Sequence, residues 1–179
     1  MPNIPRYCPD RALPPYSYVP GLNPHPTSDP RGHSFGLHDP PANPLDEFTF
    51  HASATYLYAI DLFNHGFYWE AHEEWEALWH AAGRHGRTAD FLKGLIKLAA
   101  AGVKAREGRA AGVRQHAQRA AELLRTSVTD TNQLFGLRLS ELIDAANGLS
   151  EKAEELAAGG NPDAHRRLPI VLRIDDDLA

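Results

Sequence analysis

The chain has 179 residues, 42% hydrophobic and 23% charged, the profile of a globular protein with enough chain for one core and an appendage. Its net charge of −5, with histidine neutral, weighs against nucleic acid as a partner, because neutralising phosphate takes a basic surface. The single cysteine, Cys8, cannot form an internal disulfide, so a reducing cytoplasm is the expected compartment.

The first stretch, MPNIPRYCPDRALPP, has no apolar run and does not read as a secretory signal. Apolar runs elsewhere fall short of the roughly 20 residues a membrane helix needs, so no membrane span is expected. Residues 1–47 hold 12 of the 14 prolines. Proline removes a backbone donor and restrains the residue before it, so this segment reads as turns and extended chain. It also carries Tyr16, Tyr18, Val19, Leu22 and Phe35, rich in apolar anchors for a solvated linker. It is therefore expected to lie ordered across a helical domain. His25, His33 and His38 stand in it, among Asp29 and Asp39.

Residues 48–160 change character. Tyr56, Ala59, Ile60 and Phe63 recur at helical spacing before a stop at Asn64-His65-Gly66. FYWEAHEEWEALWHAAG predicts a second helix closed by Gly83, and ADFLKGLIKLAAAGVKAREG a third stopped by Gly108. Val113, Ala117, Ala120 and Leu124 mark a fourth. LRLSELIDAANGLSEKAEEL, with Leu139, Leu142, Ile143, Ala146 and Leu149 on one face, predicts a fifth. Residues 161–179 form a tail whose LPIVLRI run is β-branched and suited to covering an edge or pairing with the N-terminal arm. The expected architecture is an all-α bundle of about five helices, sequential helices adjacent, with the proline-rich arm packed on it.

The chemistry concentrates in HEEWEALWH, residues 72–80. At about 100° per residue and with His72 at zero, Glu76 falls near about +40°, Trp79 near −20°, Tyr68 near −40° and Trp75 near −60°. His72 and Glu76 thus sit one turn apart on or beside the aromatic face, where their side chains can meet. Glu70 and Glu74 point the other way and read as solvated charges. Trp69, Trp75 and Trp79 read chiefly as core residues. Gly94 and Ala101 read as a close helix contact, and Arg109, Arg114, Arg119 and Arg125 as a solvated stripe.

A carboxylate on an apolar face needs compensation. His72, a lysine of the third helix (Lys93 or Lys97) or a divalent metal each suits Glu76. Histidine and glutamate at i and i+4 are a good two-point ligand set, and zinc, manganese and iron all suit it. The order His72-Glu73-x-x-Glu76 is not the HExxH of zincins. Further ligands have to come from elsewhere: His25 or His33 of the arm, His65 or His51. Glu73 is the candidate base for hydrolysis at such a metal, in a pocket walled by Tyr68, Trp75, Trp79, Lys93 and Lys97. The competing reading is a non-enzymatic scaffold or interaction module in which His72 and Glu76 form a structural pair. The sequence names no partner and leaves a homo-oligomer open.

The block FNHGFYWEAHEEWEALWHAAGRHGRTADFLKGLIKLAAAGVKAREG resembles the DUF309 family, whose mark is an HxxxExxW/Y motif followed by a GLI segment. Here these are His72, Glu76 and Trp79, then Gly94, Leu95 and Ile96, within a similarity that spans residues 55–125. The resemblance implies a small all-α bundle of unestablished function, with metal binding through the His/Glu motif as the suggested property. Lys93 and Lys97 flank GLI where the family leads one to expect glutamine. Nothing of the family's motif falls on His25 or His33.

Overall fold

The structure, a computed structural model, describes residues 4–38, 40–158 and 168–175. Asp39 and most of NPDAHRRLP lie outside these residues. A 3-10 turn at Phe50–Ala52 leads into α1 (Ala54–Asn64), α2 (Tyr68–Ala81), α3 (Arg87–Arg106) and α4 (Ala110–Thr126). A two-stranded antiparallel hairpin follows, β1 (Gln133–Leu134) and β2 (Leu137–Arg138), then α5 (Leu139–Glu151) and the short α6 (Ala153–Ala157). The chain is thus mostly helical, as expected, and each of α1–α5 packs on its neighbour in sequence. No helix among the described residues is long and apolar enough to cross a membrane.

The predicted stops have a common cause. Gly66, Gly83 and Gly108 follow α1, α2 and α3 with φ of 85°, 76° and 70°, a backbone region that L side chains avoid and that ends a helix. The expected single last helix is broken instead. Leu137 and Arg138 are taken into the hairpin, and a turn at Lys152 separates α5 from α6. The hairpin is held from below: the buried Tyr56 hydroxyl donates to the Phe135 carbonyl at 2.9 Å, and Phe50, Tyr56 and Phe91 surround the Phe135 ring.

Small residues on α3 set its distance from both neighbours. A Cβ on Gly94 would fall 2.8 Å from Leu124 Cγ of α4, and one on Gly102 2.5 Å from the Tyr68 ring of α2. The close-packing reading of this stretch holds on both sides of the helix.

Residues 168–175 run extended and form no strand. They are fastened by side chains. Asn64 of α1 exchanges two hydrogen bonds of 2.8 Å with the main chain of Leu172. Tyr68 Oη accepts the Leu168 N–H, and Tyr7 Oη, from the arm, accepts the Ile174 N–H at 2.8 Å. The tail meets the arm, but through a tyrosine hydroxyl and not through strand pairing.

The arm is ordered along α1 and α2. Buried Asp61 of α1 accepts the N–H groups of Tyr7 and Cys8 at 2.8 Å each, and Arg6 Nε at 3.2 Å. Tyr58 Oη donates to the Ala12 carbonyl at 2.7 Å, and Ser17 Oγ to the Gly66 carbonyl at 3.1 Å. Val19 ends this path with 1% of its surface exposed. With few ladder bonds open to it, a proline-rich chain is ordered by acceptors that the helices supply.

Candidate functional site

Two clusters sit on opposite sides of α2. The first is the one the sequence points to. His72, Glu73 and Glu76 each offer a ligand atom, and those atoms all lie within 4.8 Å of one another. His72 Nδ1 is 3.2 Å from Glu73 Oε1. Glu76 makes no hydrogen bond or ion pair with another described residue, so the expected His72–Glu76 bond is replaced by a His72–Glu73 contact. His72 is half-buried and Glu73 exposed. The spacing explains the set: i and i+4 share a face, and i+1 reaches the same point from the flank.

The neighbouring helices bring mostly positive charge. Burial, together with Lys93 and Arg119, pushes the Lys97 ammonium below its ordinary range, and Glu76 opposes that shift. His116 of α4 is pushed down by burial first, then by Lys97, Lys104 and His72. Lys93 Nζ lies 3.9 Å above the Trp79 ring, a cation–π contact that holds it at the surface. Tyr68 and Trp75, expected as pocket walls, are core residues with 2% and 0% exposure. They pack on Phe63 of α1.

The second cluster overturns the solvated reading of Glu70 and Glu74. Glu70 is 5% exposed. Its Oε1 accepts the Tyr18 N–H at 2.8 Å and lies 3.2 Å from His33 Nε2, whose side chain is 7% exposed. Its Oε2 is buried with no hydrogen-bond partner. Burial pushes the Glu70 carboxyl above its ordinary value, and the Tyr18 N–H, its own N–H and His33 act against that. Glu74 is half-buried and pairs with Arg11 at 2.8 Å, whose guanidinium lies 3.7 Å above the Tyr58 ring. Both glutamates face outward on α2, as the wheel shows, but the arm covers that face.

The arm histidines therefore join the second cluster and not the first. His33 binds Glu70, and His25 packs edge-on against Tyr18 and Trp69. Neither completes a ligand set with His72. His65 Nδ1 instead meets the Asp61 carbonyl at 2.8 Å, and His51 lies against the Phe50 ring. His80 accepts from Arg84 Nε at 2.8 Å.

Between the arm and α1–α2 lies a cleft of about 620 Å³, lined by Glu70, His33, Arg11, Tyr58, Trp69 and Leu37 among others. Glu73 lines it too, so the two clusters share one residue. The sequence holds two signs of this region that periodicity alone does not weigh. Trp69 falls among the charged positions of α2, which an uncovered face seldom carries. Asp61 stands in TYLYAIDLF, apolar all round, so its carboxylate had to be buried and partnered.

Curated proteins and solved structures give no match. A family model does: residues 56–115 match that of DUF309, a domain of unknown function, and these residues span α1, α2, α3 and the first turn of α4. Over that segment the chain is similar to the DUF309 family.

Proposed function

We propose that α2 carries a divalent-cation site with His72, Glu73 and Glu76 as protein ligands, and that hydrolysis is the reaction class it serves. The observation behind this reading is the convergence of three ligand atoms within 4.8 Å. A cation bound at about 2.0–2.2 Å holds its ligand atoms no more than about 4.3 Å apart, so small side-chain rotations of the two glutamates suffice to close the set. One imidazole and two carboxylates suit zinc, manganese or iron. Such an ion, when bound, lowers the pKa of a coordinated water toward neutrality.

The chain's own residues have separable tasks. His72 and Glu76 hold the ion from successive turns. Glu73 completes the set, which removes it from the base role that the sequence suggests. Trp79, anchored by Lys93, borders the site from the next turn. The cleft that Glu73 also lines gives a substrate room beside the ion. The lone cysteine supports a reducing cytoplasm as the compartment.

A structural reading of the same residues has its own support in Lys97, which already compensates Glu76 electrostatically. Metal analysis of untagged protein separates the two. The cation reading expects near-stoichiometric zinc, manganese or iron in the wild type, lost in both His72→Ala and Glu76→Gln. Metal-free wild type that also fails to take up added Zn2+ or Mn2+ leaves the scaffold reading.

A further inference from the structure

The cleft between the arm and α1–α2 has a volume in the range of small-molecule sites, about 620 Å³. Its charged lining is Glu70, Glu73, Glu74 and Arg11, with His33. Arg11 is engaged, ion-paired to Glu74 at 2.8 Å and stacked on Tyr58. The carboxylates are then in excess. Glu70 is the deepest of them, and only one of its oxygens is satisfied: Oε1 has Tyr18 and His33, while Oε2 is buried and has no partner. A buried carboxylate oxygen without a donor is destabilising, and the residue that carries this one lines the cleft, where a ligand can bring the missing donor once the carboxylate turns toward it.

The remaining lining narrows the chemistry of that donor. Trp69, Leu37 and Leu62 give an aromatic and aliphatic wall, which suits an organic body with a cationic head. A metal ion is a poorer fit. Glu70 and His33 belong to no group of metal-ligating side chains with converging atoms among the described residues, and Glu70 Oε1 is already taken by a main-chain donor. Arg106 is the buried cation that feels Glu70 from within the bundle, yet it makes no ion pair with Glu70.

We propose that this cleft is a binding site for a small organic cation, an ammonium group on an aromatic or aliphatic body, with Glu70 as its counter-ion and His33 positioning the Glu70 carboxylate. Recognition rests on a charge-assisted hydrogen bond from the ammonium to Glu70 Oε2, with the body against Trp69. The site meets the divalent-cation reading only at Glu73, which lines the cleft while His72 and Glu76 do not.

Benzylamine, charged at neutral pH, and benzyl alcohol, its neutral near-isostere, are the probes. Binding is measured by calorimetry on the full chain, and the amide resonance of Tyr18 reports directly on the Glu70 carboxylate. The expected result is saturable benzylamine binding that moves the Tyr18 amide, with benzyl alcohol at least about tenfold weaker. Glu70→Gln is expected to bring benzylamine down to the level of the alcohol. Equal binding of the two probes to the wild type overturns the proposal, as does a Tyr18 amide that stays still at saturating benzylamine. No benzylamine binding into the millimolar range overturns it as well. Metal content is read on the same samples, so loss of one site is distinguishable from loss of the other.

Discussion

Asp61 Oδ2 accepts the main-chain N–H of Cys8 at 2.8 Å, a bond that joins the proline-rich arm to the centre of α1 across 53 residues of chain. Oδ1 does the same for Tyr7. Two adjacent N–H groups on one wholly buried carboxylate, with Arg6 beside them, make this the anchor of the arm. Asparagine cannot replace it, because its amide turns a donor toward one of the two N–H groups. Asp61→Asn is expected to destabilise the protein by about 2–4 kcal/mol, from lost charge-assisted bonds and a buried N–H left unpaired. Urea unfolding measures the loss, and amide exchange at Tyr7 and Cys8 locates it. A change within about 0.5 kcal/mol, with those amides still protected, would show that the arm is held elsewhere.

Glu70 gives a signed pH dependence. Its folded-state pKa is raised above the ordinary 4.5, so between those two values the native protein holds more protons than the unfolded chain. Stability then falls as pH rises through that window. His33 contacts the same carboxylate, so the cleaner comparison is His33→Asn against the double variant His33→Asn/Glu70→Gln. The double variant should gain on the single one as pH rises above about 4.5, and the two should converge in their pH slopes below it. A difference between them that stays flat over this range would mean that the Glu70 carboxyl is not raised by its burial.

Lys97 opposes a cation at Glu76. Replacing its ammonium by an apolar chain of similar length removes a like charge from beside the proposed site. Lys97→Met is therefore expected to raise Zn2+ affinity by about tenfold, as read by competition with a chromophoric chelator. If Lys97 instead helps to order Glu76 for the metal, affinity falls, and the role assigned here to Lys97 is wrong.

Gly102 tests the α2–α3 contact. Alanine there gains up to about 1 kcal/mol of helix propensity, but its Cβ has to enter the Tyr68 ring. That ring is confined by Phe63, and its hydroxyl holds the Leu168 N–H, so it has little room to retreat. Gly102→Ala should cost about 1–3 kcal/mol net, seen as a lower thermal midpoint. Gly148 is the control, since no neighbour lies within reach of its Cβ, and Gly148→Ala should be stabilising.

The helices and their stops were legible because they depend on local chemistry. A 3.6-residue apolar period and a glycine in the left-handed region are properties of neighbouring residues, so α1 through α4 could be read one at a time, and the placing of His72 and Glu76 on one face of α2 followed from the same geometry, though His72 contacts Glu73 and not Glu76. The tertiary structure decided which faces meet water. The wheel gave the direction of Glu70 correctly and its environment wrongly, because the arm covering it lies some 50 residues away and carries no periodicity to announce its path. The same holds for His33, which the sequence offered to His72 and the fold delivered to Glu70, and for residues 168–175, fastened by Asn64, Tyr68 and Tyr7. A chain without ladder hydrogen bonds takes its course from the acceptors and hydroxyls that distant helices present, and their positions exist only once the bundle has formed.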